Sequence, residues 1–198
     1  MIAHYSFFLV TFIPALINAF GYFAKQRILE KLSWIVLLIL VSTRYDIGGD
    51  YSTYYIIFNK IGGGEYFYLN EPLFYLLNKI VYELGFHFNL VIFFIDAFSF
   101  YIYYRFFNSL EGRLNRHIAF VLFVTFYSAL WANMIYIRQE IAVAFLILAL
   151  KSLVERDNKF SFFIYVIVAT LFHNVSIIFL SFLYIKRLDI LQNSNKRH

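Results

Sequence analysis

Residues 118–137 are twenty consecutive positions without a charged side chain, and this run narrows the folds open to the chain more than any other feature. At about 1.5 Å of rise per residue, a helix of that length crosses the roughly 30 Å hydrocarbon core of a bilayer. The pattern recurs. Residues 2–23 are charge-free apart from the titratable His4, with Pro14 marking a kink, and residues 88–104 carry one charge, Asp96. No Lys or Arg precedes the first run, which is too long for a signal-peptide core and reads as a retained span. A soluble domain has no means of hiding so much apolar surface: 62% of the residues are hydrophobic, 15% are charged, and 26 are Phe. The expectation is an all-α fold, a polytopic integral membrane helical bundle. It forms one transmembrane domain over residues 1–185, followed by a polar tail at 186–198. The absence of cysteine excludes disulfides and thiolate metal sites.

The net charge of +5 is explained by position and does not call for a nucleic-acid partner. Lys25, Arg27 and Lys31 follow the first apolar run; Arg105, Arg113 and Arg116 follow the run at 88–104. Short basic loops between apolar spans belong on the cytoplasmic side. The segment from Arg44 to Glu71 carries Asp46, Asp50, Glu65 and Glu71 against Arg44 and Lys60, a poor match for such a loop. Tracing the spans from that orientation brings Arg44, Arg138 and Gln139 to the outer face, with His173 within the membrane or near its outer boundary. The three residues Arg44, Arg138 and His173 are therefore expected to converge on one wet site, because a charge in an apolar segment turns toward a cavity in preference to lipid.

Residues 72–84 follow a different rule. Leu73, Leu76, Leu77, Ile80, Val81 and Leu84 lie on one helical face and Tyr75, Asn78, Lys79 and Tyr82 on the other. Asn70 or Glu71 suits the N-cap, and Pro72 the first turn. The segment is short for a span, which predicts an interfacial or re-entrant amphipathic helix at the outer face. Gly62, Gly63 and Gly64 form the flexible part of the preceding loop.

Four fragments in fixed order carry a family resemblance: Arg44 through Tyr51 with Tyr54, then Glu71-Pro72-Leu73-Phe74, then Ile137 through Ala142, then Phe172 through Ser176. Together they resemble the EpsG family of bacterial polysaccharide polymerases, related to the Wzy-type polymerases of O-antigen and capsule. The resemblance runs from about Leu40 to Leu183, and the chain is similar to the amino-terminal half of a longer polymerase. It implies polymerisation of lipid-linked repeat units at the outer face of the bacterial cytoplasmic membrane. The growing glycan leaves its undecaprenyl pyrophosphate carrier for the sugar of an incoming unit. Implied partners are that lipid-linked oligosaccharide, membrane lipid, and a chain-length regulator or flippase; no cofactor is implied.

Such a reaction needs a cation for the departing pyrophosphate, and Arg supplies a fixed donor fork. Arg44 and Arg138 are the candidates, with Gln139, Glu71, Tyr51 and Tyr54 completing the substrate-binding set. The acceptor hydroxyl needs a base; His173, Asp46, Asp50 and Glu140 are all open to that role. Each also has a structural reading. Arg at a helix end snorkels to headgroups, a lone intramembrane His bonds a backbone carbonyl, interfacial Tyr is common, and Asp46 with Asp50 lacks the further ligands a metal requires. Asp96 is expected to pair with a polar group of a neighbouring span. Arg138 and Glu140, two positions and ~200° apart on a helix, cannot face one cavity unless the helix starts between them. The alternatives are a transporter or flippase of lipid-linked sugars, for which repeated halves would be expected and none is visible, and an inactive fragment of a polymerase that only packs with partners.

Overall fold

The computed structural model describes residues 9–47, 49–65 and 70–183; the start of the first apolar run, Gly48 and the polar tail lie outside them. The described residues form nine α-helices and no strand: α1 (Phe12–Phe23), α2 (Arg27–Ser42), α3 (Tyr51–Gly62), α4 (Pro72–Glu83), α5 (Asn89–Asn108), α6 (Arg113–Thr125), α7 (Tyr127–Ile135), α8 (Ile137–Arg156) and α9 (Lys159–Phe172). A 3₁₀ helix, Asn174–Leu180, follows.

Helices α5 and α8 form the centre. α8 packs on α9 and α5; α5 also meets α2 and α4, and α1 bridges α2 and α6. The α8–α9 contact rests on small residues, with Ala142, Ala149 and Ala169 all buried, which lets the two backbones approach closely. Tyr101, Ile102 and Arg105 of α5 share a cavity with Leu148, Lys151 and Arg156 of α8, so the two helices run side by side in the same direction. One end of the bundle gathers Asn89, Arg138, α3 and α4. The other holds the cationic ends of α2, α5, α6 and α8. Polar bonds fix the latter end: Asn18 Nδ2 donates to Ser33 Oγ at 3.0 Å, and Asn18 Oδ1 lies 2.6 Å from His117 Nδ1.

The structure changes three expectations from the sequence. The charge-free run at 118–137 is not one straight helix. It breaks at Phe126 between α6 and α7, which meet at a bend of 52°. Neither Pro nor Gly lies in the run, but Thr125 Oγ1 donates to Val121 O at 2.7 Å, and such back-bonding competes with the helical ladder and bends helices. The helix at α4 forms where expected with Pro72 at its start, but its inward face is Phe74, Asn78 and Val81. Leu76, Ile80 and Leu84 point outward, 46–65% exposed. Its leucine face meets the surroundings because an apolar solvent makes no demand that such a face be hidden. Gly62 is no flexible spacer: a Cβ there would stand 2.3 Å from the Tyr82 ring, so its missing side chain is what lets α3 close on α4.

Among the described residues α5 alone is, unbroken, long and apolar enough to cross a membrane, and the bent α6–α7 pair is a second candidate. Elsewhere the surface remains apolar. Phe20, Phe23, Ile28, Val154 and Phe160 are each at least 66% exposed.

Candidate functional site

Glu71 is the N-cap residue of α4, yet its side chain makes no capping bond. It turns instead into the bundle, where it is 1% exposed. Arg138 Nη1 donates to Glu71 Oε2 at 2.5 Å, and Oε1 lies 2.9 Å from His173 Nδ1 while accepting from the Asn174 backbone N at 3.3 Å. A carboxylate held by a guanidinium is an acceptor only. His173 therefore donates from Nδ1, and in the neutral imidazole the lone pair is then on Nε2.

Each group is delivered by a chain break. Arg138 is the second residue of α8, just after the non-helical Tyr136 (φ −101°, ψ 64°) that separates α8 from α7. His173 ends α9 in extended conformation, with φ −149° and ψ 109°, and its side chain leaves the helix axis toward Glu71. Tyr54 and Phe74 wall the cluster. The Arg138 guanidinium lies 5.5 Å from the Tyr54 ring centroid and 5.9 Å from that of Phe74, and Arg138 Nε donates to Tyr54 Oη at 3.4 Å. Cation–π contact of this kind adds to the ion pair in holding the fork flat. Burial raises the pKa of the Tyr54 phenol above its ordinary value, against the pull of Arg138. Glu71 is enclosed, whereas the side chains of Arg138 and His173 keep 26% and 18% of their surface exposed. The arrangement is a buried carboxylate orienting an accessible imidazole beside an accessible guanidinium. It can take a proton at Nε2 and hold an anion.

A second charged group sits deeper. Arg44 Nη1 donates to Asp96 Oδ2 at 2.8 Å and to Val41 O at 2.7 Å, and neither side chain of the ion pair has exposed surface. Glu140 is buried within electrostatic reach of both, although its two oxygens make no hydrogen bond among the described residues. Tyr51 and Asn89 link this group to α3. Tyr51 Oη donates to Asn89 Oδ1 at 2.7 Å, and Asn89 Nδ2 donates to Arg44 O at 3.0 Å. Burial pushes the Tyr51 phenol up to about 12, and Tyr45 and Tyr55 add to that effect.

A family model supplies the remaining observation: the description EpsG family matches residues 27–194. The chain belongs to the EpsG family. Membership ties it to polysaccharide biosynthesis and to a membrane. No curated protein and no solved structure matches it.

The fold divides the site residues of this EpsG chain into groups that the sequence did not separate. Arg138 and His173 meet, as expected, but through Glu71. Arg44 does not join them; it neutralises Asp96, because an unpaired carboxylate inside α5 is far costlier than an ion pair. Asp96 thus has the polar partner on a neighbouring segment that its position demanded. Arg138 and Glu140 face different clusters, as their spacing on α8 requires. Gln139 is exposed and lies outside both clusters, Tyr54 touches Arg138, and Tyr51 is turned toward Asn89. Asp46 is exposed with a left-handed backbone, φ 51°; Asp50 is the partly buried N-cap of α3. No group of three His, Asp or Glu side chains among the described residues is disposed to hold a metal ion. Asn89 and the Asn174 amide were missed; a polar residue opening an apolar run was the available signal for Asn89.

Proposed function

We propose that this chain acts in the polymerisation of lipid-linked oligosaccharide repeat units, with Glu71, His173 and Arg138 as its reacting centre. The supporting observation is the Glu71–His173 contact at 2.9 Å beside Arg138. An acceptor hydroxyl surrenders its proton to His173 Nε2 as its oxygen attacks the anomeric carbon of the donor glycan. The bond from that carbon to the carrier's diphosphate oxygen breaks, and its electron pair leaves with the diphosphate. The leaving group gains negative charge as the bond opens, and a fixed guanidinium stabilises that charge more than the ground state. Glu71 stabilises the imidazolium formed and keeps the ring in the tautomer that accepts at Nε2.

In this reading the chain is a multi-pass protein of the bacterial cytoplasmic membrane. The Glu71 end faces outward and the cationic end faces the cytoplasm. Arg44, Asp96 and Glu140 support the architecture without touching substrate.

The test is incubation of the purified chain in lipid with undecaprenyl-pyrophosphate-linked repeat units, read as a ladder of glycan lengths. Ladder formation that disappears in His173→Ala and Arg138→Ala supports the assignment. Ladders of unchanged length in both variants refute it, and carrier binding without any ladder favours transport.

A further inference from the structure

The cationic end of the bundle contains a cavity of about 300 Å³ that the proposed chemistry does not use. Arg27 and Lys31 of α2 and Arg116 of α6 line it, against one carboxylate, Glu30. Three cations against one anion leave an excess of positive charge. None of the three has an ion-pair partner among the described residues. Asn18 and Asn108 add amides to the lining.

A second space begins where this one ends. An apolar groove, also about 300 Å³, shares Lys31, Trp34 and Tyr104 with the cavity and continues past Leu38, Ala97 and Phe100. From Arg27 to Leu38 along α2 is about 16 Å at ~1.5 Å per residue. Trp34 stands at the junction, fixed by ring contacts to Phe100, Tyr104, Phe107, Phe120 and Phe123. A charged pocket opening onto a hydrocarbon-lined channel complements one kind of molecule, with an anionic head and an apolar tail. A small free anion leaves the groove unexplained, and an uncharged lipid leaves the cations unexplained.

We propose that the cavity and groove bind an anionic phospholipid, its phosphodiester between Arg27, Lys31 and Arg116 and one acyl chain against Trp34, Leu38 and Ala97. The site is at the opposite end of α5 and α8 from Glu71. It requires that the chain sit in a bilayer, and not that it polymerise anything. Guanidinium and ammonium groups at a membrane face are drawn to acidic headgroups, and here two helices and an aromatic wall turn that attraction into a shaped site.

The full chain, purified in mild detergent, is mixed with phosphatidylglycerol or phosphatidylcholine and its bound lipids are counted by native mass spectrometry. Phosphatidylglycerol should bind in preference. Lys31→Ala combined with Arg116→Ala should lower its occupancy roughly tenfold or more. Ala97→Phe fills the groove with all cations in place, and it should also displace the lipid while leaving inorganic phosphate binding unchanged. Circular dichroism confirms folding, and the single variant Arg116→Ala replaces the pair if the pair fails to fold. Equal binding of the two phospholipids overturns the proposal. So does full phosphatidylglycerol binding in Ala97→Phe, which makes the site one for a bare anion, and so does polyprenyl phosphate that phosphatidylglycerol fails to displace, which makes it a carrier site. Glycan ladders are scored separately, so loss of either function leaves the other readable.

Discussion

Glu71 and His173 lie 102 positions apart in the chain and 2.9 Å apart in the fold. The contact joins the start of α4 to the end of α9, and it works only because both side chains stand at helix termini. A residue in mid-helix points its side chain at the neighbouring helix, whereas one at a break is free to reach across. The same is true of Arg138 at the start of α8. Three chain breaks, and no motif within one element, assemble the cluster.

Replacing Glu71 by Gln should therefore damage more than replacing Tyr54 by Phe. Gln keeps the size but offers an amide where Arg138 needs a negative charge, and its NH₂ can face His173 and reverse the tautomer. Loss of a positioned base is worth about 10²–10⁴ in rate, and Glu71→Gln should approach the effect of His173→Ala. Tyr54→Phe keeps the ring under Arg138 and loses only the long bond to Nε, so activity should fall by less than tenfold. Initial rates of glycan lengthening compare the variants. Equal loss in Glu71→Gln and Tyr54→Phe would indicate that the carboxylate has no special part.

Arg44 and Asp96 should behave as an architectural pair. Removing one partner strands a buried charge at a cost of about 3–5 kcal/mol, whereas replacing both by apolar residues is often neutral or stabilising. Arg44→Ala is expected to melt well below the parent chain in detergent, and Arg44→Met with Asp96→Leu to recover most of the loss. Carrier lipid should bind the double variant as it binds the parent. Failure of binding in a double variant that is stably folded would return Arg44 to the substrate.

Gly62 gives a packing test. The alanine Cβ collides with the Tyr82 ring at 2.3 Å, and overpacking of that kind costs typically about 1–3 kcal/mol. Gly62→Ala should lower the melting temperature, and the added change Tyr82→Ala should relieve the clash while forfeiting the ring contact of Tyr82 with Phe58. Coupling between the two changes, measured as a double-mutant cycle, is the quantity to read. Additive losses would mean that α3 and α4 do not meet there.

The legible part of this fold was the part governed by local rules. The helices of α5 and α8, the Pro72 start of α4 and the separation of Arg138 from Glu140 all follow from spacing along one helix. The outward leucines of α4 fit an interfacial helix, but that Phe74, Asn78 and Val81 are the side turned to the bundle depends on how α4 packs on its neighbours and was not legible from its spacing. Arg44 was read as a wet-site residue since a charge abutting an apolar run turns toward a cavity in preference to lipid; that Asp96 claims it depends on how α2 and α5 pack, which no local pattern encodes. The Phe126 break had a faint sign in Thr125, a hydroxyl able to bond backward, but nothing as strong as Pro or Gly. The meeting of Arg138 with His173 was anticipated, and Glu71 as the group between them was not.

Tyr51 offers a check on the deeper cluster by titration. Its phenol is pushed up to about 12 from an ordinary 10.0, chiefly by burial, so the folded chain holds this proton more tightly than the unfolded one. The sign follows from linkage: the contribution to stability is fully present below pH 10 and is lost as pH rises from 10 through about 12. Tyr51→Phe removes the titration and also the bond to Asn89. Loss of a neutral hydrogen bond costs about 0.5–1.5 kcal/mol, so the variant should be less stable at neutral pH and lose less of its stability between pH 10 and 12 than the parent. The difference in tyrosinate absorbance between the two chains isolates one phenol among the many. A midpoint near 12 in that difference fits a Tyr51 buried against Asn89, whereas a midpoint near 10 would mean that α3 stands away from α5 in solution and that Arg44 lacks its Asn89 support.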